Sequence, residues 1–422
     1  VLRLDARFGG VDLSRLPQPP QPPVRAGRVR ASPPSPGLPA RNGATAAIRL
    51  AELTVRIDGS VGRHQAEIDG RGVDQSIRVQ ARGGLSDAGL WTGEVERFGV
   101  SHPLLALPTG QGAPDPARRD LDSLQPFALT VSAERRSIRE AKFAFNGATV
   151  NLRQLDWAAP SLALRADATG IAARWIGRFV DVASLYQSGN GVDLIVAKQD
   201  LSLAAAITFN GDVADGTAAD WTGSLRLMRE RGDLALRPPA VAVTEGPIGR
   251  SDEPGAGLQR VDLSATIAAR VVRVLVDIEG ERIGRIAGNA QATLAATGEP
   301  VWAAASLARS PLGGRLNLAM PSFRWISPLI GDNWQVDGAL SARLDLAGTL
   351  TSPRADGVVT GADLSAQEQT LGMRLRNGVL AAEFSGDRVD VKVLRFESGE
   401  GSVAVSGLLQ PGDPGLLIDS FE

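Results

Sequence analysis

The chain has 422 residues, of which 43% are hydrophobic and 22% charged. That composition can bury a core and is not that of a disordered protein. Its 45 basic and 47 acidic residues leave a net charge of −2, which excludes a polybasic nucleic-acid binder, and no local basic run replaces the missing bulk charge. The absence of cysteine excludes a disulfide scaffold, thiol catalysis and thiolate metal sites.

The opening run Val1-Leu2-Arg3-Leu4-Asp5-Ala6-Arg7-Phe8 alternates like a strand already under way, and Leu416 to Glu422 reads as a strand cut short. Both ends predict an excerpt of a longer chain. Nine of the 26 prolines lie between Pro17 and Pro39. That stretch reads as a polyproline-II or disordered spacer, with an SH3-type ligand as the alternative. Two further loops are expected over Pro108 to Ser123 and Glu245 to Gly257. No run of about 18 apolar residues offers a membrane span.

Nearly everything else alternates with period two. Leu340, Ala342, Leu344 and Leu346 fall on one face of a strand, with Ser341, Arg343 and Asp345 on the other. Val261 to Ile267, Leu201 to Phe209, Phe127 to Ala133 and Asn289 to Ala296 repeat the pattern. Gly-containing dipeptides look like the turns between strands: Asp58-Gly59, Asp69-Gly70, Asn146-Gly147, Asn210-Gly211, Asp337-Gly338, Asp356-Gly357 and Asn377-Gly378. The expected fold is mainly β: an elongated, curved antiparallel sheet with one apolar and one polar face, forming a hydrophobic groove. Two stretches carry helical spacing instead. Gly170 to Ser188 places Ile171, Trp175, Phe179 and Val182 on one stripe, and Pro321 to Asp332 reads as a short turn broken by Pro328. Trp91-Thr92-Gly93 recurs as Trp221-Thr222-Gly223, 130 residues on, each copy opening a new strand series.

Motifs that carry chemistry are absent. There is no Walker loop, no dinucleotide-binding glycine pattern, no nucleophile elbow and no His-Glu-x-x-His. Asp212-Val213-Ala214-Asp215-Gly216 resembles part of a calcium loop but lacks the remaining ligands, so a turn explains it. The two histidines are His64, on a strand surface, and His102, in a loop before Pro103. No metal, no cofactor and no catalytic residue is assigned, and an enzyme is the least supported class. The informative feature is the continuous aliphatic face. A closed sandwich buries such a face under a second sheet. An open trough lined by it would hold acyl chains, at roughly 0.8 kcal/mol for each methylene taken from water.

The C-terminal third carries a family resemblance. Asn333-Trp334-Gln335-Val336-Asp337-Gly338-Ala339-Leu340, then Leu346-Ala347-Gly348-Thr349-Leu350-Thr351-Ser352-Pro353 through Gly357, resembles the translocation and assembly module subunit TamB family. Leu371 to Gly378, Phe384 to Asp387 and Ser398 to Gly407 continue it. The likeness is good over about residues 300–410 and looser over 45–300. It implies membership of the AsmA-like group of bridge-like proteins. Such proteins are anchored in the inner membrane of diderm bacteria and cross the periplasm as a β-structure with a hydrophobic groove. They meet the outer-membrane barrel partner TamA, and act in phospholipid transport and outer-membrane protein assembly. The resemblance therefore implies phospholipids and TamA as partners and a periplasmic location.

On this reading the chain divides into a strand end plus proline-rich loop (1–45), a first β-groove segment (46–170), a short helix (171–190), a second β-groove segment (191–320), a helical turn (321–332) and a third β segment (333–422). The groove would be lined by Leu201, Leu203, Ile207, Leu263, Ile267, Leu340, Leu344, Leu346, Leu375, Leu380, Phe384, Val391 and Val393. Two other readings stand beside it. One is a scaffold that offers sheet edges to nascent outer-membrane strands without carrying lipid. The other is a secreted passenger or adhesin with a closed core.

Overall fold

A computed structural model describes residues 2–12, 49–72, 75–102, 120–172, 195–197, 200–213, 216–236, 255–297, 299–301, 303–327, 333–370, 372–386, 388–409 and 417–421. The fold is mainly β, and every strand pairing among these residues is antiparallel. No described helix is long and apolar enough to cross a membrane. The proline-rich stretch 17–39 lies outside the described residues. The chain forms two units, residues 1–132 with 141–146, and residues 133–140 with 147–422.

In the first unit, β1 (Leu2–Asp12), β2 (Arg49–Ser60), β3 (Arg63–Arg71), β4 (Ser76–Leu85) and β5 (Trp91–Ser101) pair in succession. β6 (Leu121–Ser123) and β7 (Phe127–Val131) both pair with β5, and the end of β8 (Arg135–Phe145) pairs with β6. Alternation sets the face each side chain takes. Leu4, Ile57, Ala66, Ala81, Val95 and Phe127 stand directly opposite one another across six strands. Val95, Phe127 and Phe143 are buried, and the Phe143 ring meets Phe127 edge-on at 5.5 Å and Phe98 at 6.2 Å.

The second unit is a long meander. β9 (Ala148–Ala158), β10 (Ser161–Ala172), β12 (Ser202–Asp212), β13 (Thr222–Arg231), β15 (Leu258–Ala268), β16 (Val271–Gly280) and β17 (Gly284–Thr293) pair in that order. β18 (Leu312–Met320), β19 (Trp334–Thr349), β20 (Ser352–Glu368), β21 (Met373–Gly386), β22 (Arg388–Ser398), β23 (Gly401–Leu409) and β24 (Leu417–Phe421) continue it. A separate two-stranded piece joins β11 (Ile195–Ala197) to β14 (Leu234–Leu236). One helix, α1 (Ala304–Arg309), links β17 to β18, where only strand was expected. Its fully buried Ser306 and the buried Ser310 just past its end are tied to each other and to the preceding segment, Ser310 Oγ donating to the Ser306 carbonyl and accepting from the Ala295 N–H.

Of the expected helices, the first is corrected at its start. Ile171 and Ala172 end β10, paired with Leu203 and Ser202, because the ladder resumes beyond a bulge between Ala168 and Ile171 where Gly170 takes a positive φ of 73°. Residues 173–190 lie outside the described residues. In the second, residues 328–332 lie outside the described residues, and the described ones hold a 3-10 turn, Arg324–Ile326. Its position is held by Asp337, whose carboxylate accepts from Ser322 Oγ at 2.6 Å and from the Arg324 guanidinium.

Only one of the seven Gly dipeptides is a two-residue turn. Asn146 (φ 49°) and Gly147 (φ 87°) separate β8 from β9. The other six lie inside strands. The chain instead reverses between β15 and β16 at Ala269-Arg270, both with positive φ (45° and 68°), so a primed turn forms here without glycine. Some in-strand glycines make room for large neighbours. At Gly211 a Cβ would lie 2.6 Å from the Trp221 ring, and at Gly83 it would lie 2.6 Å from the Trp91 ring. The repeated Trp-Thr-Gly thus marks a shared device, an indole laid on a glycine of the preceding strand.

Trp91 also explains His64. The indole Nε1–H donates to His64 Nε2 at 3.0 Å, which leaves Nδ1–H to donate to the Ser60 carbonyl at 3.1 Å or that of Val61 at 3.2 Å. This histidine is structural. Trp91→Phe removes the donor and leaves the Nε2 acceptor unsatisfied. A loss of about 1 kcal/mol is expected, read as a lower urea midpoint, while adding His64→Ala to that variant costs little more.

The polar face of the second unit is a ladder of Arg–Asp pairs. Asp262 accepts from Arg226 at 2.6 Å and lies 3.7 Å from Arg260, and Asp277 meets Arg260 and Arg285 at 3.2 and 3.0 Å. Hydrogen bonding from Arg226 holds the Asp262 carboxyl below its usual range against the opposing effect of burial. Hydrogen bonds from Asn151 and Arg153 do the same for Asp167. At Asp337 burial pushes upward, and the Ser322, Gly338 and Arg324 bonds outweigh it. A carboxyl depressed in the folded state adds stability above its unfolded pKa, about 3.9. That stability is lost as pH falls through the folded value. The urea midpoint is therefore expected to hold steady from pH 7 to about 4.5 and to fall below about pH 4. A midpoint that falls between pH 7 and 5 instead would contradict the ladder's role.

Candidate functional site

The register of the second unit assembles one apolar face from β10 to β23. One row runs Ala168, Ala205, Leu227, Leu263, Val276, Gly288, Leu316, Leu344, Gly357, Phe384 and Val389, each directly opposite the next. A parallel row runs Ile278, Ile286, Leu318, Ala342, Val359, Ala382, Val391 and Gly407. Direct opposition in an antiparallel pair places side chains about 5 Å apart on the same face. The face is therefore apolar across the strands as well as along them.

Most of its side chains are neither buried nor free. Leu227, Leu263, Val276, Leu316 and Leu344 are all half-buried, and Leu225 is 38% exposed. The inner face of a closed sandwich would hold such aliphatic residues buried. Two charged residues interrupt the face among the paired residues. Arg229 stands opposite Leu203, and the buried Glu368 stands between Trp334 and Met373.

The expected lining residues fall into three groups. Ile207, Leu263, Ile267, Leu340, Leu344, Leu346, Leu375, Leu380 and Phe384 lie half-buried on the apolar side of their strands, and Val391 lies there at 8% exposure. Leu201 and Leu203 are covered. They form a closed corner with Ala256, Leu258 and Ile283, against which Ile171, Leu234, Val261, Ile278 and Trp325 pack. Val393 stands on the opposite face. It pairs with Ala381 while Val391 pairs with Ala382, so Lys392 is the extra residue of a bulge and the alternation flips. Leu394 and Phe396 take the apolar face beyond the bulge, opposite Val405 and Val403. Sequence reading missed these two, together with Leu316, Leu318, Val274 and Val276. The last four carry the same alternation as the residues it named.

Among the described residues no group of three His, Asp or Glu side chains could hold a metal ion. The calcium-like run places its Asp212 carbonyl as acceptor of the Trp221 indole N–H and its Asp212 N–H on the Asp220 carboxylate. Comparison with known protein families, with characterised proteins and with solved structures finds no match.

Proposed function

We propose that the chain is a segment of a lipid-carrying bridge, in which phospholipid acyl chains lie along the apolar face of the second unit. The observation that carries this reading is the alignment of half-exposed aliphatic side chains across successive strands, from Leu164 on β10 to Val405 on β23. A surface of this kind left against water is costly, and apolar occupants relieve it at about 25 cal/mol per Å² covered. The polar ladder on the other side keeps the same sheet wetted. The resemblance of residues 300–410 to the TamB family supports extending the proposal to the periplasm of a diderm bacterium, with the parent protein anchored in the inner membrane, a TamA-like barrel as partner and outer-membrane protein assembly as the associated process.

Native mass spectrometry of the purified chain tests the core of the proposal. Phospholipid adducts that survive mild desolvation are expected. A chain that emerges free of lipid, and takes none up from liposomes, contradicts it and favours the lipid-free scaffold.

A further inference from the structure

One cation breaks the apolar face where the covered corner meets the half-exposed wall. Arg229 lies two residues before the end of β13, with Leu203 of the corner directly opposite and Leu227 of the wall two residues back on the same face. Its guanidinium is held by backbone carbonyls, Nε donating to Gly232 at 2.9 Å and Nη1 to Gln259 at 3.3 Å. No carboxylate pairs with it among the described residues, whereas Arg226, Arg260, Arg285 and Arg315 on the opposite face each meet an aspartate. Arg229 is half-buried, and an anion brought to it would form charge-assisted hydrogen bonds without displacing a carboxylate. The two carbonyls take Nε and Nη1 of its fork. A second donor lies at the same corner. Trp325 packs on the Leu201–Leu203 cluster with its indole N–H buried and without an acceptor among the described residues.

We propose that Arg229 binds the phosphate of a glycerophospholipid whose acyl chains run along the wall from Leu227 towards Leu263 and Val276. The inference rests on the lipid-carrying reading and adds to it a fixed headgroup position. Phosphate oxygens match the planar guanidinium donors, and the anion supplies the missing charge. An uncharged diacylglycerol fills the same wall but leaves the cation unpaired.

The test compares three probes on the full chain: a palmitoyl-oleoyl phosphatidylglycerol, the diacylglycerol with the same chains, and inorganic phosphate. Arg229→Gln is expected to weaken phosphatidylglycerol binding about tenfold, equivalent to 1.4 kcal/mol, and to leave diacylglycerol binding within twofold. Arg229→Lys should recover part of the loss, and Arg273→Gln on the polar face should cause none. Circular dichroism melts establish that each variant is folded. Should Arg229→Gln lose its fold, Arg229→Lys against Arg273→Gln carries the comparison, with a two- to threefold selective loss expected for the lysine. Equal binding of both lipids to the wild type and the variants overturns the headgroup site and leaves the trough standing. Failure of both lipids to bind the wild type removes both proposals. Phosphate bound as tightly as phosphatidylglycerol identifies a free-anion site and overturns the lipid assignment.

Discussion

Leu344→Arg is expected to cut the phospholipid carried by the chain at least tenfold while leaving it folded. Leu344 sits mid-row between Leu316 and Gly357 on the apolar face. It is half-buried, so its replacement forfeits only part of a leucine's transfer energy, about 1–2 kcal/mol, and the arginine can extend its stem along the wall and hold its head in water. An acyl chain laid across the same point must desolvate that charge, which costs several kcal/mol. The effect on loading therefore exceeds the effect on stability. Thr360→Arg is the matched control. Thr360 pairs with Ser341 on the opposite face and hydrogen-bonds to it at 2.8 Å, so an arginine there should not alter loading. Lipid per chain, measured by native mass spectrometry alongside the melting temperature, decides the matter. Equal loading of Leu344→Arg and wild type would remove the apolar face from the transport path.

Gly284→Ala is expected to destabilise the β16–β17 hairpin by roughly 3 kcal/mol or more. Gly284 opens β17 with φ 68°, and a Cβ there would lie 2.2 Å from the Ala319 carbonyl oxygen and 2.7 Å from the Met320 Cα. Both obstacles are backbone of the neighbouring strand, so relief requires β18 to move away. Gly89 isolates the conformational part. It has φ 72° and nothing within 4 Å of the added carbon. Gly89→Ala should cost only the left-handed backbone penalty, about 1–2 kcal/mol. Amide hydrogen exchange locates the damage. Protection should fall in β16 to β18 for Gly284→Ala and not for Gly89→Ala. Equal losses for the two would mean that the close approach of β18 contributes nothing.

The period-two pattern makes the β-class and most of the apolar face legible in the order of the amino acids. Alternation is a local property of the chain, and in a strand it assigns each residue to a face without reference to a partner. Leu340, Leu344 and Leu346 follow from it directly. The turns are less legible. Asn-Gly and Asp-Gly dipeptides signal flexibility and small size, and both serve equally to let an indole lie against a strand, as Trp221 does at Gly211. Ala269-Arg270 carries no such signal and turns because its flanking strands pair.

Three features required the folded chain. The bulge at Lys392 turns Val393 to the far side, because a strand's face is inherited from its pairing and one extra residue inverts everything beyond it. The corner that covers Leu201 and Leu203 brings in Ala256, Leu258, Ile283 and Trp325 from distant parts of the chain. Along the chain Arg229 is one more arginine among many, and only its register places it opposite Leu203. Side-chain alternation is written in adjacent residues, so it can be read along the chain. What lies beside or above a residue depends on strands that meet only after folding, and that alone settled which leucines are covered and which cation stands on the apolar wall.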